Sequence, residues 1–155
     1  MKRTVVIVAA LLALAGCAGS PTSTPRLTAQ QVVTALTQRV PTVIPSVVYT
    51  AETDPNHLLG RPTGYQSKAT FADRRVNPGS ATDSSQGSVE LGGSVEVFAD
   101  DQGAQQRMRY IQAIGSSLPA AAEYDYVSGP MLLRLSRLLP PAQAAEYQKA
   151  LSSVV

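Results

Sequence analysis

Cysteine occurs once in this chain, at position 17. No intrachain disulfide and no thiolate metal site can form, so whatever folds here must be held by its own hydrophobic core. The first sixteen residues are not part of that core. Met1, Lys2 and Arg3 make a short basic start, and Val5 to Leu14 is an apolar run of about ten residues. Such a run is too short to span a bilayer comfortably and has the length of a signal-peptide core. Without it the chain has 155 − 16 = 139 residues, enough for one domain with a substantial interior.

The apolar run ends in Leu14-Ala15-Gly16-Cys17, which resembles the lipobox of bacterial lipoproteins. The resemblance implies cleavage before Cys17, a diacylglycerol thioether on its sulfur, and a lipid anchor on the extracytoplasmic face of the cell membrane. Ala13-Leu14-Ala15 also suits an ordinary secretory cleavage, and on that reading Cys17 is incidental. Residues 18 to 27, AGSPTSTPRL, are rich in Ser, Thr and Pro with one charge. That composition predicts an extended tether reaching roughly 30 Å. The expected plan is a signal peptide over 1–16, a lipidated cysteine and tether over 17–27, and one α+β domain over 28–155.

The formal charge of +2 comes from the leader. Without Lys2 and Arg3, 11 basic residues balance 11 acidic ones. A neutral domain has no net pull toward nucleic acid, and no nucleic-acid partner is expected.

Periodicity predicts the elements. Ala29, Val32, Val33 and Leu36 recur at helical spacing, Thr28 and Gln31 form a capping-box start, and Pro41 bars continuation. Residues 44–50 read as a strand. In 65–71, Tyr65, Ala69 and Phe71 alternate with Gln66, Lys68 and Thr70. Residues 73–88 are turn formers throughout and predict a long mobile connection. In 89–98, Val89, Leu91, Val95 and Val97 alternate with Glu90, Ser94 and Glu96, which predicts an antiparallel strand with one wet face. Gly92-Gly93 within it suggests a bulge or bend.

Asp100-Asp101 opens a helix to about Ser117 with Ala104, Met108, Ile111, Ile114 and Leu118 as its apolar stripe. Residues 124–127 and 131–135 flank Gly129-Pro130 as two short strands or one bent one. Pro141 starts a last helix whose apolar face is Ala144, Tyr147, Ala150, Leu151 and Val154. The order α-β-β-β-α-β-β-α predicts a two-layer α+β sandwich, an antiparallel sheet of four to five strands with helices on one face.

Chemistry-bearing patterns are sparse. His57 is the only histidine, and no G-x-S-x-G elbow accompanies it. No metal-ligand spacing and no cofactor motif is present, so no catalytic residue, metal or cofactor is expected. Glu90 and Glu96 lie roughly 20 Å apart along a regular strand, too far for an acid–base pair, and read as part of a solvated face. "GRPTG", 60–64, precedes a strand rather than a helix and signals an anion nest only weakly.

The distinctive segment is "DPNHLLGRPTGY", residues 54–65. Asp54-Pro55-Asn56 is turn chemistry, Gly60 and Gly64 permit positive φ, and two prolines stiffen the loop. Two roles follow. Leu58 and Leu59 cap one end of the core, or Asp54, Asn56, His57, Leu58, Leu59, Arg61 and Tyr65 form a preorganised contact loop.

Taken with K-x-x-F-x-D at Lys68, Phe71 and Asp73, "GGSVEVF" at 92–98 and "EYDYVSGPMLLRLS" at 123–136, this loop resembles small uncharacterised lipoproteins of actinobacteria. The resemblance covers about residues 43–151. It implies location and domain extent, and carries over no catalytic residue. Ten arginines to three lysines and the many alanines are compatible with a GC-rich genome.

The expectation is a lipid-anchored extracytoplasmic binding or interaction domain of the cell envelope, without catalytic activity. It contacts the membrane through lipid on Cys17 and takes an envelope protein as partner. The alternatives are an envelope-associated hydrolase using His57 as base, or a carrier of a lipophilic ligand.

Overall fold

The computed structural model describes residues 27–154. The expected signal peptide, Cys17 and all of the tether but Leu27 lie outside the described residues. Three helices and five strands follow in the expected order: α1 (Ala29–Arg39), β1 (Val43–Val48), β2 (Ser67–Asp73), β3 (Gly92–Val97), α2 (Asp101–Ser117), β4 (Tyr124–Ser128), β5 (Met131–Leu135) and α3 (Pro141–Ser152). The class is α+β. The strands form one sheet in the order β1-β2-β3-β5-β4, with every neighbouring pair antiparallel.

Local signals set the helix starts. The Thr28 hydroxyl accepts from Gln31 N, and the Gln31 side chain accepts from Thr28 N at 2.8 Å. The reciprocal pair satisfies two amides that the first turn leaves without partners. The Asp100 carboxylate accepts from Gly103 N at 2.8 Å and caps α2 in the same way. Pro141 occupies the first turn of α3, where a missing N–H costs nothing.

The expectation of helices on one face holds for α1 and α3 and fails for α2. Along β5, Met131, Leu133 and Leu135 enter a core shared with Val32, Leu36, Tyr147 and Leu151. Leu132 points to the other side, into a second core with Ala104 and Ile111 of α2, Tyr65 and Phe98. Successive strand residues face opposite sides, so the sheet is covered on both. Connectivity supplies the reason. β3 and β4 both run antiparallel to β5 and hence parallel to each other, so the chain between them must cross a sheet face. α1 and α3 already occupy the other face.

The wet face expected of β3 is absent for the same reason. All six residues of the strand are buried, and Ser94 and Glu96 are fully enclosed. The strand also begins later than the alternation suggests, because Val89–Leu91 form a 3-10 turn. Gly92 and Gly93 make no bulge: they stay in register opposite Ala72 and Phe71. A Cβ on Gly93 would lie 2.5 Å from the Arg134 carbonyl oxygen and 2.6 Å from the Phe71 ring, so both neighbouring strands need glycine there. Tyr65 likewise departs from its expected face. It precedes β2, and its ring turns into the second core edge-on to Phe98, 5.9 Å between centroids. Phe71 enters the first core and stacks on Tyr147 at 5.5 Å.

Residues 74–91 leave the sheet with local anchors. The Arg75 guanidinium bonds the buried Asp73 carboxylate at 2.7 Å, the Tyr147 hydroxyl donates to the same carboxylate at 2.6 Å, and Val76 is buried.

Candidate functional site

The 54–65 loop is built around one carboxylate. Asp54 Oδ2 accepts from Leu58 N at 2.9 Å and Leu59 N at 3.1 Å; Oδ1 accepts from Lys68 Nζ at 3.0 Å. The Tyr65 hydroxyl donates to the same group at 2.6 Å. Burial alone would raise the Asp54 carboxyl, but the bonds from Tyr65, the Leu58 amide and Lys68 outweigh it and hold the group well below the usual carboxylate range. His57 takes a left-handed φ of 52°, and Gly60 one of 78°. Gly64 packs so closely on the Leu58 carbonyl that a side chain there would collide with it.

These contacts sort the expected loop residues. Asp54 and Tyr65 are buried and hold the loop from inside, so neither is a surface contact. Leu58 and Leu59 are half-buried against the second core. His57 and Arg61 face solvent, and the Arg61 Nε donates to the His57 carbonyl. Among the described residues no hydrogen bond reaches the His57 imidazole, and it does not line the cleft described below. Asn56 points toward α2. Two obligate donors, Arg107 Nη2 and Lys68 Nζ, face one heteroatom of its carboxamide at 3.2 and 3.1 Å, which is therefore the oxygen.

Behind the loop, the sheet face under α2 carries charges that the sequence pattern placed in water. Lys68, 5% exposed, lies 4.6 Å from the centroid of the Tyr49 ring as well as on Asp54. Burial depresses its ammonium, with Asp54 opposing. Opposite it in register, Glu96 is enclosed between two guanidinium groups, Arg107 of α2 at 3.1 Å and Arg134 of β5 at 3.2 Å. Arg134 also holds Glu123 through two bonds, at 2.7 and 3.2 Å. Burial opposes the Arg134 charge, but Glu123 and Glu96 more than offset that and hold its pKa above the ordinary value.

Asp125 is the cross-strand partner of Arg134, yet that guanidinium goes to Glu123 and Glu96 instead. Its Oδ1 is buried with no hydrogen-bond partner among the described residues. Burial, and Glu123 beside it, push the Asp125 carboxyl up to about 8. The folded value lies above the ordinary 3.8, so its contribution to stability is complete below pH 3.8 and is lost as pH rises through about 8. Stability is expected to fall as pH rises between these limits. Asp125→Asn is expected to flatten that decline. Melting curves from pH 5 to 8.5 that fall equally in both proteins would contradict this.

Loop, α2 and the 3-10 turn at Pro119–Ala121 together enclose an open cleft of about 620 Å3. Asn56, Leu58 and Thr63 line it from the loop, Gln106, Arg107, Tyr110 and Ile114 from α2, and Glu123 and Arg134 from the sheet side. Tyr110 and Ile114 are 60% and 42% exposed. Ile111 and Ile114 of the expected apolar stripe border the cleft, and only Ala104 and Ile111 of that stripe are buried.

Sequence reasoning missed Glu96, Arg107, Tyr110, Glu123 and Arg134. One signal was available for the last two. A tight hairpin at Gly129-Pro130 pairs Ser128 with Met131 and therefore Asp125 with Arg134, which brings an acidic strand start over an arginine.

The fold and site define a class: an α+β domain with a five-stranded antiparallel sheet covered on both faces and a cleft of mixed apolar and polar lining at the edge of α2. No protein-family model, no curated protein and no solved structure matches this chain. Among the described residues, no helix is long and apolar enough to cross a membrane, and no group of three or more His, Cys, Asp or Glu is placed to hold a metal ion.

Proposed function

We propose that this protein is a lipid-anchored binding domain on the extracytoplasmic face of the cell membrane, tethered through Cys17 and engaging an envelope component. The reading of location rests on the Leu14 to Cys17 ending. The reading of activity rests on one observation, the open cleft between the braced 54–65 loop and α2. A preformed concavity with apolar walls and converging polar groups is the ordinary form of a binding site. The Asp54 carboxylate keeps one wall rigid, which lowers the ordering cost of binding. A carrier that encloses its ligand fits less well, since the cleft is open and Glu123, Arg107 and Arg134 border it.

Two measurements test the proposal. Cys17→Ala is expected to move the protein from the membrane fraction to the soluble one, since the lipids on this residue supply the anchoring. Equal detergent partitioning of the two forms would remove the anchor. A photo-crosslinking residue in place of exposed Tyr110 in the anchored protein is expected to capture an envelope component that one in place of exposed Gln148, on α3 across the sheet, does not. Equal yields at the two positions would remove the cleft as the binding surface.

A further inference from the structure

We infer that the cleft takes a neutral carbohydrate, with Tyr110 as the platform for a sugar face and Arg107, Gln106 and Asn56 as the groups that bond its hydroxyls. The inference rests on the cleft being the binding surface. It follows from the charge balance of the walls, the form of their polar groups and the position of the exposed Tyr110 ring.

Charge comes first. Arg107 and Arg134 present two positive charges to the cleft, and Glu96 and Glu123 cancel both through direct bonds. Lys68 and Asp54 cancel each other behind Asn56. A phosphate or sulfate entering here meets guanidinium groups already committed to carboxylates, with no net positive charge to repay its desolvation. A cation fares no better, because both Glu123 oxygens are held by Arg134. An uncharged ligand avoids both costs.

The polar groups are nevertheless many and planar. The Arg107 guanidinium bonds Glu96 through Nε and Asn56 through Nη2, which leaves N–H donors unassigned among the described residues. Fixing the Asn56 oxygen on Arg107 and Lys68 leaves its amide N–H groups free to turn outward. Gln106 adds a donor and an acceptor one residue before Arg107, and Thr63 a hydroxyl on the opposite wall. Flat side chains braced by neighbours suit adjacent hydroxyls, which accept and donate in pairs. An apolar ligand would leave these groups desolvated and unpaired.

The aromatic ring supplies the remaining part. Tyr110 stands 60% exposed at the cleft edge with the Arg107 guanidinium 5.6 Å from its centroid, and Ile114 continues the wall one turn on. A pyranose has a C–H face that packs on an aromatic ring and a rim of hydroxyls that bonds polar side chains, and this wall offers both. The volume, about 620 Å3, lies within the range of small-ligand sites and accommodates more than one sugar unit.

The experiment uses the full-length lipoprotein in detergent micelles and saturation-transfer NMR with maltotriose, mannotriose and tri-N-acetylchitotriose. A galacturonic acid trimer and a neutral alanine tripeptide serve as controls. At least one neutral trisaccharide is expected to receive saturation and to bind more tightly than either control. Tyr110→Ala is expected to weaken it about tenfold, and Gln106→Ala to weaken it measurably, with the melting temperature unchanged because both side chains are exposed. Saturation of none of the three sugars, preferential binding of the acidic trimer or the peptide, or sugar binding indifferent to Tyr110→Ala would each overturn the inference. Crosslinking at Tyr110 that persists alongside such a result would leave the binding role standing and reject carbohydrate as its ligand.

Discussion

Asp54→Ala is expected to destabilise the domain by about 4 kcal/mol, the loss usual for breaking one side of a buried ion pair. The carboxylate has no exposed surface and Lys68 is 5% exposed, so neither charge can turn to water when the other is removed. The same substitution deprives the Leu58 and Leu59 amides of their acceptor and the Tyr65 hydroxyl of its shortest bond. Loop and second core should therefore loosen together. Urea denaturation would measure the loss, and hydrogen exchange at Leu58 and Leu59 would locate it. A change below about 1 kcal/mol would show that the loop stands without its carboxylate.

Acid should reproduce part of the effect in the unsubstituted protein. The folded Asp54 carboxyl lies below the ordinary 3.8, so its contribution is complete above that value and is lost as pH falls through the folded one. The Asp125 contribution runs in the opposite direction, declining as pH rises from 3.8 toward about 8.

Glu96→Ala is the second large effect, expected at about 3 kcal/mol. It leaves two guanidinium groups facing each other across an emptied site on a fully buried strand. The cost is placed below that of Asp54→Ala because Arg134 keeps Glu123, and Arg107, 13% exposed, has a route to water. Glu90→Ala is the control. This residue shares the alternation of Glu96 in the sequence but stands half-buried in a 3-10 turn, with its carboxylate on the Thr82 amide. Its loss is expected to cost less than about 1 kcal/mol. Equal costs at positions 90 and 96 would mean that the cover over β3 does not matter. A Glu96→Leu/Arg107→Leu pair that recovers most of the single-variant loss would show that the unpaired charge, rather than lost packing, carries it.

The contrast between these two glutamates shows what was legible. Alternation in 89–98 correctly divides the side chains of β3 into two sets, because pleating is local to the strand. It says nothing about what covers each set. A polar face reads as wet whenever water is the default neighbour, and only the crossover from β3 to β4 brings α2 over Glu96. The Asp54 loop is the reverse case. Its turn residues, its prolines and the need to place Leu58 and Leu59 were readable, yet the inward course of Tyr65 was not. It depends on the second core, whose members Phe98, Ala104 and Leu132 come from distant parts of the chain.

By itself, the sequence determined the features whose causes lie within a few residues. These are the capping box at Thr28, the Asp100 cap, the proline at the start of α3, and the order of helices and strands. Tertiary structure alone decided where the polar residues went. Asp54, Lys68, Glu96, Arg107, Glu123 and Arg134 lie far apart in an unremarkable charge pattern, and become a neutral, largely buried network only when strands, a loop and a helix converge. A charge finds its partner through space, and spacing along the chain carries no record of that distance until the sheet is assembled.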